Sequence, residues 1–196
     1  NIVSNLWQGW TFRKEAFDNY FLVSFAVAGA IGALLGTLAL AGLNDDILMR
    51  VVAVVLIFYV VSRILRPDLR LNLQVARKLT LPVGLISGVM QGATGVSAPV
   101  SVTFLNAINL DRSKFIFVIS WFFLTLGLVQ LPTQFALGIM TSERLLYSSL
   151  ALIPLLAFMP VGAMIGRKIS QQVFSHIILF LLSLLAVKLI ADSALN

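Results

Sequence analysis

Six apolar runs, each about twenty residues long and set off by short charged turns, constrain this chain more than any other feature. They fall at 20–43, 47–65, 79–105, 115–137, 145–165 and 175–191. A helix needs about 20 apolar residues to cross the hydrocarbon of a bilayer, so each run has the length to span once. Strand spans would need only about 9–11 residues with strict alternation, and no alternation is present. The expected fold class is therefore all-α: a polytopic transmembrane helix bundle of about six spans.

Composition agrees. Apolar residues make up 59% of the 196 positions and charged residues 11%, against roughly 45–50% and 25% in a soluble domain. An ordinary soluble enzyme and a disordered chain are excluded. Cysteine is absent and there is one histidine, so no disulfide framework, thiolate metal site or cysteine nucleophile is available. No metalloprotease, nucleophile-elbow or phosphate-loop motif occurs, and neither a cofactor nor an enzyme activity is expected.

The net charge of +6 suggests nucleic acid until its positions are read. The basic residues lie between the apolar runs, as cytoplasmic loops require, and no nucleic-acid partner is expected. Residues 1–19 interleave Trp7, Trp10, Phe12 and Phe17 with Arg13, Lys14, Glu15 and Asp18, which reads as an interfacial aromatic and basic segment. The stretch 66–78 carries Arg66, Arg70, Arg77 and Lys78 against Asp68 and is expected to be a cytoplasmic loop. Simple alternation of six spans then places Arg13, Lys14 and Arg144 inside, and Arg112, Lys114, Arg167 and Lys168 outside.

An internal repeat is expected as well. Ile31-Gly32-Ala33-Leu34-Leu35-Gly36 resembles Val161-Gly162-Ala163-Met164-Ile165-Gly166, four spans later and hence in the same direction. Residues 20–65 would then be the last two spans of a first half, and 79–196 a second half of four. Transporters are often built from such repeats, with the site between halves.

The third run holds the candidate site. Gln91, Gly92, Thr94, Gly95, Ser97 and Pro99 fall within nine residues, a poor recipe for a plain lipid-facing helix, because glycine weakens it and proline removes a hydrogen bond. A helix broken there can turn free N–H groups toward an anion, helped by the dipole of the next half-helix. Ser101 adds a hydroxyl. The same small residues also suit close helix packing, and both readings stand at this point; for the Gly32/Gly36 and Gly162/Gly166 pairs packing is favoured. In the fourth run Ser120 and Gln130 are polar groups expected to face the bundle interior. Arg50 and Lys188 read as snorkelling cations and His176 as interfacial. Every carboxylate, from Glu15 to Asp192, lies in a turn or at a run end, so no acidic group sits at membrane depth to couple protons or sodium.

At these residues the chain resembles the TauE/SafE sulfite exporter family of multi-span permeases. The resemblance rests on Gly84, Gly88, Gly92, Gly95 and Pro99, on Pro160-Val161-Gly162-Ala163-Met164-Ile165-Gly166-Arg167-Lys168-Ile169, and on the related copy at 31–36. It implies a bacterial inner-membrane exporter of sulfite or related small sulfur-containing anions. It also aligns this chain, which begins at Asn1, with the last six of about eight spans, the first two of the first half being absent. The expected partners are a small inorganic or organic anion and the lipid bilayer, and the chain is compatible with a homo-oligomer. The competing class is a non-transporting membrane subunit or scaffold, in which the glycines serve packing alone.

Overall fold

The computed structural model describes residues 2–15, 17–44 and 70–168, with isolated helical positions at 47, 50, 53, 54, 57, 61, 173, 180, 184 and 188. Among the described residues the regular structure is all helical. We label the helices α1 (Ile2–Thr11), α2 (Asn19–Gly42), α3 (Leu73–Thr94), α4 (Ala98–Ala107), α5 (Arg112–Ala136) and α6 (Ser142–Lys168). At 1.5 Å per residue, the 24 residues of α2 and the 25 of α5 are apolar and long enough to cross a membrane. The expected second and sixth spans, the residues 66–69, and His176 fall outside the described residues or are represented there only by isolated positions. The Val161–Gly166 copy of the repeat lies in α6, where the side chains beyond Val161 are outside them too.

α2 and α3 start on side-chain caps. The Asp18 carboxylate accepts the Phe21 N–H at 2.8 Å, and the Asn72 amide oxygen accepts that of Val75 at 2.8 Å, each satisfying a donor that the first turn leaves open. Asp18 also pairs with Arg77 across the start of α3. The basic residues Arg77 and Lys78, expected in a loop, thus occupy the first turns of α3. The Asn72 cap starts the helix before the apolar run begins.

α2 and α3 run parallel in close contact. Gly84 faces Phe25, Gly88 faces Gly29 and Ala33, and Gly92 faces Ala33 and Thr37. On the other side, Gly32 and Gly36 meet the backbone of residues 85–93. A Cβ on Gly88 would run into the Gly29 carbonyl and stand 2.8 Å from the Ala33 nitrogen. This seam is built backbone to backbone, the arrangement small residues permit when lipid provides no hydrophobic drive for helix association.

α5 joins α2 on another face and runs in the same direction. Phe25 stacks on Phe122 with centroids 4.0 Å apart, and Gly29 faces Phe122 and Leu126. Phe21 stacks on Phe104 of α4 at 5.8 Å, and Phe104 lies 5.6 Å from Phe25. The result is a buried aromatic cluster uniting α2, α4 and α5, each pair contributing roughly 0.5–1.5 kcal/mol beyond its area. α1 packs antiparallel to α5: Ile2 lies on Gly127 and Gly9 against the Trp121 ring. The segment expected to lie at the interface therefore includes a helix that runs along α5. Its exposed end keeps the expected chemistry, with the Arg13 guanidinium 4.2 Å from the Trp10 ring centroid.

Candidate functional site

The third apolar run does not form one interrupted span. α3 stops at Gly95, α4 begins at Ala98, and the chain turns back on itself. Phe104 of α4 reaches Phe21 and Phe25, and the Leu71 N–H, just before α3, donates to the Ala107 carbonyl at 2.7 Å. α3 and α4 are thus the arms of a helical hairpin whose ends return to the same side.

The residues at the tip explain the reversal. Gly95 has φ +74° and caps α3 in the left-handed conformation, its N–H donating to Gln91 C=O at 2.8 Å. A side chain there would meet no neighbouring atom within 4 Å, so backbone conformation, not space, calls for glycine. Thr94 braces the turn: its hydroxyl donates to Met90 C=O at 2.8 Å and accepts the Val96 N–H at 3.1 Å. Pro99 sits in the first turn of α4, where its fixed φ suits a helix start and its missing N–H breaks no bond.

This reversal corrects the expected distribution of charge. Because the hairpin returns, Arg112 and Lys114 at the start of α5 lie at the same end of the bundle as Arg77 and Lys78, not opposite. Arg144, whose guanidinium donates to the Ile139 carbonyl at 2.6 Å just past α5, lies at the other end.

Inside the hairpin three side chains form one network. The Ser97 hydroxyl donates to Gln91 Oε1 at 2.9 Å. The Gln91 amide nitrogen approaches Gln130 Oε1 of α5 at 3.4 Å, and the Gln130 amide nitrogen donates to Gln91 C=O at 3.0 Å. Ser97 is 1% exposed and Ser101 fully buried, its hydroxyl donating to Ser97 C=O at 3.0 Å. The network is uncharged. Its weakest member, the 3.4 Å contact, lies at the limit of a hydrogen bond, so a stronger acceptor arriving there would displace it at small cost.

Of the eight candidates read from the sequence, the structure gathers Gln91, Thr94, Gly95, Ser97, Pro99 and Gln130 at the hairpin tip. Gly92 is one turn away but belongs to the seam with α2. Ser120 stands elsewhere: buried on α5, it donates to Gln8 Oε1 of α1 at 3.3 Å, ten residues before Gln130. Gln8 carried no sequence signal, being a lone amide in an aromatic segment. The α4 N-terminus offers fewer donors than a free helix end, since Pro99 has none and the Val100 and Ser101 N–H groups both turn to Ser97 C=O at 3.1 and 3.0 Å. The donors the tip could offer an anion are therefore its amide NH2 groups and hydroxyls more than the helix end. Among the described residues no cluster of acidic, histidine or cysteine side chains could hold a metal ion.

No curated protein and no solved structure matches the chain. The family model described as sulfite exporter TauE/SafE matches residues 1–189 of the 196, taking in α1 to α6 and therefore both arms of the hairpin. All helical among the described residues and matched over nearly its whole length, the chain belongs to the TauE/SafE sulfite exporter family of membrane transporters.

Proposed function

We propose that this chain exports small sulfur-containing anions, such as sulfite or organosulfonates, across the bacterial inner membrane, and that the α3–α4 hairpin tip binds them. The carrying observation is the network of Ser97, Gln91 and Gln130 at a point where a helix is broken and reversed. A small oxyanion presents several acceptors, and two amide NH2 groups and a hydroxyl are suitable donors. A neutral site holds an anion without the permanent attraction of a buried cation, which suits a carrier that must also let go. The helices α2 to α5 contain no carboxylate, so no buried acid repels the substrate.

Alternating access is the working mechanism. α1–α2 and α4–α5 are each a ten-residue helix followed by a long one, and α2 and α5 run in the same sense. Rocking of the α2–α3 pair against α5, on which α1 packs, about the contact of Phe25 with Phe122 would expose the tip to either side. The end bearing Arg13, Lys14, Arg77, Lys78, Arg112 and Lys114 is then the cytoplasmic one, a stronger basic bias than six alternating spans would give.

The test is flux in proteoliposomes holding the full chain, with sulfite, thiosulfate, a sulfonate and a carboxylate supplied in turn. Sulfite is expected to be carried, and Gln91→Leu and Thr94→Val to reduce its flux about tenfold or more while the protein still purifies folded. Undiminished flux in both variants would remove the hairpin tip from the site and leave the glycines with a packing role only.

A further inference from the structure

We infer that the Ser87 hydroxyl is a second, deeper contact for the transported anion, one helical turn below Gln91. This rests on the transport reading above and extends it to a residue with no assigned role.

The observation is an unmet hydroxyl. Ser87 is fully buried, and its Oγ has no hydrogen-bond partner among the described residues. Elsewhere in these helices hydroxyls bend back to the carbonyl four residues earlier: Thr37 to Ala33, Thr94 to Met90, Ser101 to Ser97, Thr125 to Trp121, Thr133 to Val129 and Ser149 to Leu145. That bond is the ordinary resource of a hydroxyl in an apolar helix. Ser87 does not use it. A buried donor left without a partner is costly, so a ligand that accepts its hydrogen bond would be favoured there.

Its position says what that partner is. Ser87, Gln91 and Thr94 follow at i, i+4 and i+7, one face of α3. This face adjoins the Gly84–Gly88–Gly92 stripe against α2, and the two share Gly84. Above Ser87 on this face stands the amide network, and above that the open turn at Gly95. One turn below lies Gly84, on which Phe25 rests, the start of the aromatic cluster with Phe104 and Phe122. Ser87 is therefore the last polar group on α3 before an apolar plug. An oxyanion that displaces the 3.4 Å contact between Gln91 and Gln130 and moves one turn inward meets this hydroxyl, and the aromatic rings stop it there.

The experiment measures sulfite flux against concentration in proteoliposomes for the wild-type chain, Ser87→Ala, Ser87→Cys and Gln91→Leu, together with the thermal midpoint of each in detergent. Ser87→Ala is expected to raise KM about tenfold, the worth of one hydrogen bond to a charged group, with a midpoint equal to or above wild type because the unmet group is gone. Ser87→Cys, similar in size and a poor donor, is expected to do the same. Unchanged KM in both Ser87 variants with flux lost in Gln91→Leu would overturn the Ser87 contact and leave the hairpin site standing. Lower midpoints with unchanged KM would also overturn it, by showing a packing role. Unchanged flux and KM in all three variants would bring down the Ser87 contact and the hairpin site together, whereas absence of sulfite flux in the wild-type chain would bring down the transport reading itself.

Discussion

The two ends of α3's glycine-rich half use the same residue for opposite purposes. Along the seam, Gly84, Gly88 and Gly92 are there because something else is close: the backbone of α2 occupies the space a side chain would need. At the hairpin tip, Gly95 is there although nothing is close, because its φ of +74° is one that side chains resist. The seam packs the backbones of α2 and α3 directly against each other. The tip is polar, and its longest contact is the 3.4 Å approach of the Gln91 amide nitrogen to Gln130 Oε1. A closely packed seam carrying a polar turn suits the binding role proposed for the tip.

Substitutions break this comparison at different strengths. The largest effect is expected for Gly88→Val, whose side chain must enter the Gly29 carbonyl. A loss on the order of 3 kcal/mol or more should leave little folded protein on size exclusion after detergent extraction. Gly95→Val comes next: it meets no atoms but carries about 1–3 kcal/mol of backbone strain. It should purify with a lowered thermal midpoint and reduced sulfite flux, while Gly95→Asn, which tolerates this conformation better, keeps most of both. If Gly88→Val and Gly95→Val behave alike, the distinction between seam and tip is wrong. A double-mutant cycle of Gln91→Leu and Gln130→Leu should then give a coupling of about 0.6 kcal/mol, ordinary for a hydrogen bond between helices in a membrane, with a far larger effect on flux than on stability. The smallest effect is expected at the basic end. Asp18→Asn keeps the α2 cap and loses only the pairing with half-exposed Arg77, so its midpoint should move by less than the equivalent of about 1 kcal/mol. Asp18→Ala, which loses the cap too, should cost about 1 kcal/mol more.

Much of this was readable in the residue order. The apolar run at 20–43 became α2 over Asn19–Gly42, and the fourth run became α5, because run length and hydrocarbon thickness are matched by one physical requirement. A break near Gly95 was also legible, since glycine and proline act through local backbone rules. What the residues could not say was where the chain goes after the break. A continued span and a hairpin satisfy the same local rules, and the choice depends on Phe104 finding Phe21 and Phe25 and on Ala107 finding Leu71. That missed reversal also misplaced Arg112, Lys114 and Arg144. Ser120 was placed apart for a related reason: being polar and mid-span predicts an inward direction, but not which neighbour, and the neighbour is Gln8 of α1.

By itself the amino-acid order determined a helical membrane protein with a weak point in its third apolar run, because helix length, backbone hydrogen bonding and the conformations open to glycine and proline are decided within a few residues. Only the tertiary structure decided which glycines form the seam and which turns the hairpin, which amides meet, and that the Ser87 hydroxyl has no partner among the described residues. Those outcomes depend on contacts between residues far apart in the chain, and packing, unlike helix formation, has no signature at short range.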